Sequence, residues 1–320
     1  MSGRTIADIS EDEIIKRFFE PITDGLGDDV ARIMLSGDRE LLISTDALIE
    51  DVHFLRRCPA HMIGEKAVRV NASDIVASGG APRWFTLSVS LPPELELSWL
   101  SDFAEGIQRP MQEIGIHLIG GDTTRSPKHI AINITVFGTV GRGKSVPRSG
   151  ARIGDWIGVT GNLGESLPGL EMLLGKRKLD REQAQHWLIR HFCPPYRGPF
   201  AQDVATRVSA MMDLSDGLAV DLPRLLQASE LRGEVDLGRL PRSAEAVQIG
   251  VTPEEALSGG EDYELLFTVP QKRWHEIENI GNKHGVKVTQ IGTVHEGKGL
   301  RYTFQGRPIN PRPASYKHFA

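Results

Sequence analysis

The sequence predicts a two-domain α+β protein whose first half mixes strands and helices and whose second half is an α/β domain. Three observations predict it. A chain of 320 residues is long for one hydrophobic core. Residues 141–150 hold three glycines, a proline and three basic residues, the composition of a linker. On either side, apolar runs of strand length alternate with amphipathic segments of helix length. The expected division is therefore a domain over 1–140, a linker over 141–150 and a domain over 151–320.

In chain order, Ile14, Ile15, Phe18 and Phe19 give the opening segment an apolar helical stripe. Residues 41–45 read as a short buried strand, with Asp46 following at its carboxyl end. The spacing predicts a helix over 63–78, stopped by Gly79, Gly80 and Pro82. Within it Ile63, Ala67, Val70 and Asp74 fall on one stripe. A strand over 84–91 and an amphipathic helix over 99–114 follow. Residues 116–119 read as a strand ended by Gly120 and Gly121. In 131–140, Ile132, Ile134 and Val136 alternate with polar residues as a half-buried strand does. Beyond the linker, a strand over 155–160, a turn over 161–164 and a helix over 165–174 are expected. Met211 and Met212 lead into Asp213, and a helix is expected to start near Asp216. A strand over 263–269, a helix and small strands close the chain.

Composition narrows the function. With 40% apolar and 25% charged residues the chain is an ordinary globular one. A net charge of −5 argues against a nucleic-acid binder, and no apolar run approaches the ~20 residues a membrane span requires. The N-terminus runs into the acidic stretch Ser10-Glu-Asp-Glu13, not an apolar signal core, so a cytoplasmic protein is expected. Cys58 and Cys193 stand alone, which suggests neither a disulfide framework nor a cysteine zinc site.

The chemistry lies in aspartates placed beside glycines and hydroxyls: Gly27-Asp28-Asp29, Ser44-Thr45-Asp46, Asn71-Ala72-Ser73-Asp74, Gly120-Gly121-Asp122-Thr123 and Asp213-Leu214-Ser215-Asp216-Gly217. Singly, most have an ordinary explanation. Asp28-Asp29 and Asp122 suit turns, Ser44-Thr45-Asp46 a capped strand end, and Asp213, Ser215 and Asp216 a helix N-cap. Asp74 is harder to explain away, because a carboxylate on an apolar stripe is costly unless it meets a metal or a base such as Lys66 or Arg69. His53 follows seven residues after Asp46, and Arg148 is either a phosphate clamp or a linker arginine. Brought together, several like charges would need compensation. Hard divalent cations supply it with oxygen ligands, and Mg²⁺ in particular arrives with phosphates. The chain thus reads as a metal-dependent enzyme that handles phosphate.

One motif competes. Gly138-Thr-Val-Gly-Arg-Gly143-Lys144-Ser145 matches the G-x-x-x-x-G-K-[ST] pattern of a nucleotide-binding loop. Such a loop must open a helix whose first amides face the phosphates. Val146-Pro147-Arg148-Ser149-Gly150 has no helical period, so a basic glycine-rich linker is expected here instead.

The full set of segments resembles the thiamine-monophosphate kinase family, within a superfamily that includes aminoimidazole ribonucleotide synthetase and selenophosphate synthetase. Besides the aspartate segments, it is carried by Ala47-Leu-Ile-Glu50-Asp-Val-His53-Phe, Gly79-Gly-Ala-Pro82, Arg148-Ser-Gly-Ala, Ser258-Gly-Gly-Glu-Asp-Tyr-Glu264-Leu and the closing Tyr316-Lys-His-Phe319, in family order over nearly the whole chain. The resemblance implies an N-terminal mixed sheet that forms a barrel across a homodimer axis, with ATP near that interface, and a C-terminal α/β domain. It implies transfer of the ATP γ-phosphoryl to thiamine monophosphate, with several Mg²⁺ ions and no general base. Carried over by position, Asp29, Ser44, Thr45, Asp46, Asp74, Asp122, Asp213 and Asp216 would be metal ligands. Gly121, Asp122, Arg148 and Ser215 would contact the nucleotide, and His53, Glu261 and Tyr316 the thiamine monophosphate.

Overall fold

In the computed structural model, residues 13, 15–19, 28–35 and 37–311 are described. Five strands, β1 (Ala31–Met34), β2 (Arg39–Ile49), β3 (Ala81–Leu91), β4 (His117–Arg125) and β5 (Ala131–Gly141), form a sheet in the order β1-β2-β5-β3-β4. Of its pairs, β3–β4 alone is parallel. The predicted alternation in β5 is met: Ile132, Ile134, Val136 and Val140 are buried. This apolar face packs on helix α1 (Ala60–Ala77), and helix α2 (Leu97–Ile114) packs on α1 in turn. The two helices approach closely because glycines face each other's backbone. A Cβ on Gly64 would lie 2.3 Å from the Phe103 carbonyl oxygen, and one on Gly106 only 1.9 Å from that of His61. Gly79, at φ 74°, turns the chain out of α1 as expected.

Seven further strands, β6 (Asp155–Thr160), β7 (Ala210–Asp213), β8 (Arg232–Asp236), β9 (Leu265–Pro270), β10 (Val288–His295), β11 (Gly299–Phe304) and β12 (Arg307–Ile309), form the second sheet, in the order β12-β11-β8-β10-β6-β9-β7. The helices of this half are α3 (Leu167–Leu173), α4 (Arg181–Phe192), α5 (Gly198–Val204), α6 (Leu218–Gln227), α7 (Ala244–Gln248), α8 (Pro253–Ser258) and α9 (Trp274–His284). The molecule is thus a two-domain α+β protein with mixed sheets. The α/β expectation for the second half needs correction, since only β8–β11 is parallel and the other pairs are antiparallel. Alternating strand and helix signals do not report at which end of the sheet the chain re-enters.

Three local expectations also shift. Asp46 lies inside β2, not after it, because the strand continues through its polar residues to Ile49. Gly120 and Gly121 do not end a strand but sit within β4. A Cβ at Gly121 would stand 1.9 Å from the Leu87 carbonyl, so the β3–β4 approach requires glycine there. In the opening segment a π-helical turn covers Ile15–Phe19, and Ile14 lies outside the described residues.

Helix α1 is common to both halves. It packs on the first sheet and also meets β7, α4 and α5. Its Val76 and Ala77 join Phe200, Met211, Leu265 and Phe267 in one buried cluster. Among the described residues, no helix is long and apolar enough to cross a membrane.

Candidate active site

Four of the predicted aspartates converge beside the C-terminal turn of α1. Carboxylate oxygens of Asp29, Asp74 and Asp213 lie within 4.8 Å of one another. Asp29 precedes β1, Asp74 comes from α1, and Asp213 ends β7, so both halves contribute. Side chains alternate along a strand, and buried Leu42 and Leu48 of β2 set the face on which Ser44 and Asp46 also lie. There Ser44 donates to Asp74 Oδ2 at 2.6 Å. Asn71 on α1 accepts the Asp46 backbone N–H at 3.2 Å. Ser73 donates to Asp213 Oδ2 at 2.6 Å.

The electrostatics are those of crowded, buried acids. Burial lifts the Asp29 carboxyl to about 7 against the pull of Arg148, with the charges of Asp213 and Asp28 adding to the rise. Burial likewise takes Asp213 to about 6, although the Ser73 hydrogen bond and Arg148 oppose it. Asp74 is held well above the ordinary range by burial and by the charges of Asp213, Asp46 and Asp29. Arg148 is the cation inside this cluster. Its Nε donates to Asp29 Oδ1 at 2.9 Å, a second guanidinium nitrogen bonds the same oxygen, and its backbone N–H donates to Asp28 at 3.2 Å. The other oxygen of Asp29, Oδ2, is buried with no protein partner. A buried, orphaned carboxylate oxygen among three acids is a donor set suited to a hard divalent cation such as Mg²⁺.

A second polar group lies around Glu261. Its Oε1 accepts from Lys66 Nζ at 2.7 Å, and its Oε2 lies 3.3 Å from His191 Nδ1. Burial raises the Glu261 carboxyl, but Lys66 and the histidines His191 and His53 more than offset this and leave it below the ordinary range. His53 accepts the Ile49 N–H on Nδ1 at 3.0 Å, which leaves the ring proton on Nε2. The whole segment 261–264 is pinned. The Glu261 N–H donates to Ser215 O at 2.7 Å, and the Tyr263 N–H to Leu214 O at 2.9 Å. Asp262 accepts from the amides of Gly164, Glu165 and Ser166 at 2.6, 2.9 and 3.0 Å. Glu264 accepts from Arg197 and Thr160.

Comparison with known proteins gives this arrangement a family. Models described as AIR synthase related protein, N-terminal domain and C-terminal domain, match residues 27–140 and 152–305. The thiamine-monophosphate kinase of Salmonella typhimurium is 37% identical over 97% of this chain and 98% of its own. That of Aquifex aeolicus is 37% identical over 96% of each. The chain belongs to the thiamine-monophosphate kinase family. A solved structure described as AaThiL complexed with AMPPCP and TMP superposes with a TM-score of 0.89 at 34% identity, each chain covered in full (100%).

For a member of the thiamine-monophosphate kinase family, the expected site residues do not all meet in one chain. Asp29, Ser44, Asp46, Asp74, Asp213 and Arg148 do. Thr45 points to the opposite face of β2, bonded to Thr135 Oγ1 at 3.0 Å and to the Ile134 carbonyl. Gly121 and Asp122 are exposed on β4. Asp46, Ile134, Leu87 and Gly121 are cross-strand neighbours in one row, so β2 and β4 are three strand spacings apart, about 14 Å along the sheet. Ser215 lies beside the pinned 261–264 segment. Asp216 is bonded by Arg224, which also reaches the fully buried Asp221, and Asp221 accepts the Asp216 N–H at 3.0 Å. Tyr316 lies outside the described residues.

The ion-pair explanation of Asp74 in this thiamine-monophosphate kinase family member is removed, because Lys66 goes to Glu261 and Arg69 to Glu65 and Glu113. The competing nucleotide-loop pattern is removed too. Gly138 to Gly141 end β5, the Lys144 N–H closes a turn onto Gly141 O at 3.0 Å, and no helix opens before Leu167. Sequence reasoning missed the roles of Asn71, Ser73, His191, Asp221 and Asp262. Asn71 and Ser73 stand beside Asp74 in its own motif, which marks them, whereas nothing local to His191 does.

Proposed function

We propose that this chain phosphorylates thiamine monophosphate with ATP, giving thiamine diphosphate and ADP by direct in-line transfer of the γ-phosphoryl group. Family membership over nearly the whole chain supports this, as does the likeness to AaThiL complexed with AMPPCP and TMP. The observation that carries it is the cluster of Asp29, Asp74 and Asp213 with an unpartnered carboxylate oxygen beside Arg148. The acceptor is a phosphate oxygen, largely ionised near pH 7 because its second pKa is about 6. No side chain therefore has to remove a proton, and the need is alignment and charge neutralisation of two anions.

Asp29, Ser44, Thr45, Asp46, Asp74, Asp122, Asp213 and Asp216 are the proposed holders of Mg²⁺, Thr45 through its backbone oxygen since its hydroxyl faces away. Bound there, Mg²⁺ supplies positive charge to the phosphate oxygens of donor and acceptor. Arg148 has its guanidinium on Asp29 and is the proposed clamp on an ATP phosphate, with Gly121, Asp122 and Ser215 as further nucleotide contacts. His53 and Glu261 are proposed to hold the organic half of thiamine monophosphate, and their mutual proximity supports this. Tyr316 completes the proposed acceptor contacts.

A homodimer in which two N-terminal sheets close into a barrel is part of the proposal, as are domains over 1–140 and 151–320 with 141–150 between them. The exposed side chains Ile33, Met34, Leu118 and Ile119 on the edge strands β1 and β4 support it, because open apolar sheet edges favour pairing with another chain. In such a dimer Gly121 and Asp122 enter the site from the partner copy, which accounts for their distance from Asp46 within one chain.

The test is ADP release by the purified protein with Mg-ATP and thiamine monophosphate, unphosphorylated thiamine or no acceptor. Release only with the monophosphate, matched by thiamine diphosphate, is expected. Equal release without acceptor would overturn the proposal.

A further inference from the structure

We propose that Lys66 and His191 are positioning residues for acceptor recognition, clamping the Glu261 carboxylate so that it faces the positively charged organic half of the acceptor. This rests on the activity proposed above and extends it to residues that themselves touch no ligand. Lys66 sits on α1 at 1% exposure, with its ammonium 5.5 Å from the Phe192 ring centroid. A lysine this deep in the molecule is unfavourable unless its charge is matched, and Glu261 is the acid that matches it.

The hydrogen-bond chemistry fixes the direction of the clamp. Lys66 can only donate, and its Nζ lies 3.4 Å from His191 Nε2, so that nitrogen accepts and the ring proton sits on Nδ1. Nδ1 faces Ser166 Oγ at 2.8 Å and Glu261 Oε2 at 3.3 Å. One carboxylate oxygen thus meets the ammonium, and the other lies against the imidazole edge, whose N–H donates to Ser166 Oγ. Burial and the Lys66 charge push the His191 pKa down to about 3, so the imidazole stays neutral and the group carries one cation and one anion.

Exposure separates the roles. The Glu261 side chain is 24% exposed, whereas Lys66 and His191 are 1% and 2% exposed. Oε1 keeps a lone pair beyond its bond to Lys66 and Oε2 accepts no hydrogen bond from the clamp, so Glu261 alone can meet a ligand and the other two act through it. The backbone is committed as well, with Glu261 in the left-handed region at φ 66° and its N–H bonded to Ser215 O at 2.7 Å. Strained conformations of this kind persist where the surroundings over-determine them.

The test is steady-state kinetics of wild type, Lys66→Met, Glu261→Gln and the double variant, with KM measured separately for thiamine monophosphate and ATP. Lys66→Met is expected to raise the thiamine monophosphate KM about tenfold or more, with the ATP KM held within about twofold. In the Glu261→Gln background the same change is expected to have almost no effect, as coupled residues behave in a double-mutant cycle. Independent, multiplicative effects, or equal rises in both KM values, would overturn the proposal. Should Lys66→Met not fold, His191→Gln carries the same cycle with a smaller effect, and additivity there overturns the proposal equally. A wild type inactive on thiamine monophosphate would sink the activity and the clamp together. An active wild type with additive variants would sink the clamp alone.

Discussion

Asp74 occupies a stripe position that Ile63, Ala67 and Val70 fill with apolar side chains, and what it gains is a shared site with Asp29 and Asp213. Such a site trades stability for function. Folding raises the Asp213 pKa from 3.8 to about 6, so ionising this group opposes folding, and the penalty grows as pH climbs past 3.8 until about 6. Asp213→Asn keeps a hydrogen-bond acceptor for Ser73 and removes the charge. In metal-free protein it is expected to melt about 2–4 °C above wild type at pH 8. The gap should close as pH falls from about 6 towards 4, which a melting series across pH would read directly. In the presence of Mg-ATP the same variant, like Asp74→Ala, is expected to lose roughly a hundredfold or more in kcat. Lys144→Ala should leave turnover within about twofold, since its loop is a turn after β5. A dead Lys144 variant with its fold intact would return the nucleotide-loop alternative.

The pairing of α1 with α2 depends on Gly64 and Gly106, each facing the other helix's backbone. Alanine at Gly106 would improve helix propensity yet place its Cβ 1.9 Å from the His61 carbonyl. Denaturant unfolding is expected to show Gly106→Ala less stable by about 2 kcal/mol. Helix α1 itself was legible because its stripe and its glycine stop are local signals. The sequence alone ends this strand before Asp46 because Ser44, Thr45 and Asp46 break its apolar run; in the fold Asp74 accepts from Ser44, Asn71 accepts the Asp46 N–H, and Thr45 turns to the other face. The sequence marks Gly121 as a breaker for the same reason of locality. The need for glycine there comes from Leu87, 34 positions earlier, across the β3–β4 pair. The direction of pairing in the second sheet is likewise set by long-range returns of the chain. Candidate site residues were legible where a motif clusters them, as with Asp74 or Asp213. The Lys66–Glu261 bond spans 195 positions and the Lys66–His191 contact 125, and no spacing rule reaches across such gaps.

At the scale of the whole molecule, Leu118 and Ile119, 43% and 59% exposed, lie on the same edge strand as Gly121 and Asp122. Ile119→Asp is therefore expected to convert the proposed dimer to monomers in sedimentation velocity and to abolish turnover in the same concentration range. A fully active monomer would show that each chain holds a complete site. Within one chain, α1 links the halves through Lys66 to Glu261 and Ser73 to Asp213, while Ser44 of the first sheet donates to its Asp74. Lys66 and Asp74 are eight positions apart on the helix, a rise of about 12 Å. On the proposed binding mode the helix is a ruler laid alongside the acceptor, with one mark at its organic end and another at its phosphate. A single residue inserted between the marks would lengthen the ruler by about 1.5 Å and rotate one mark about 100° from the other. If the acceptor lies as proposed, substitutions can adjust either end of the site by itself, but the interval between them is fixed by the helix.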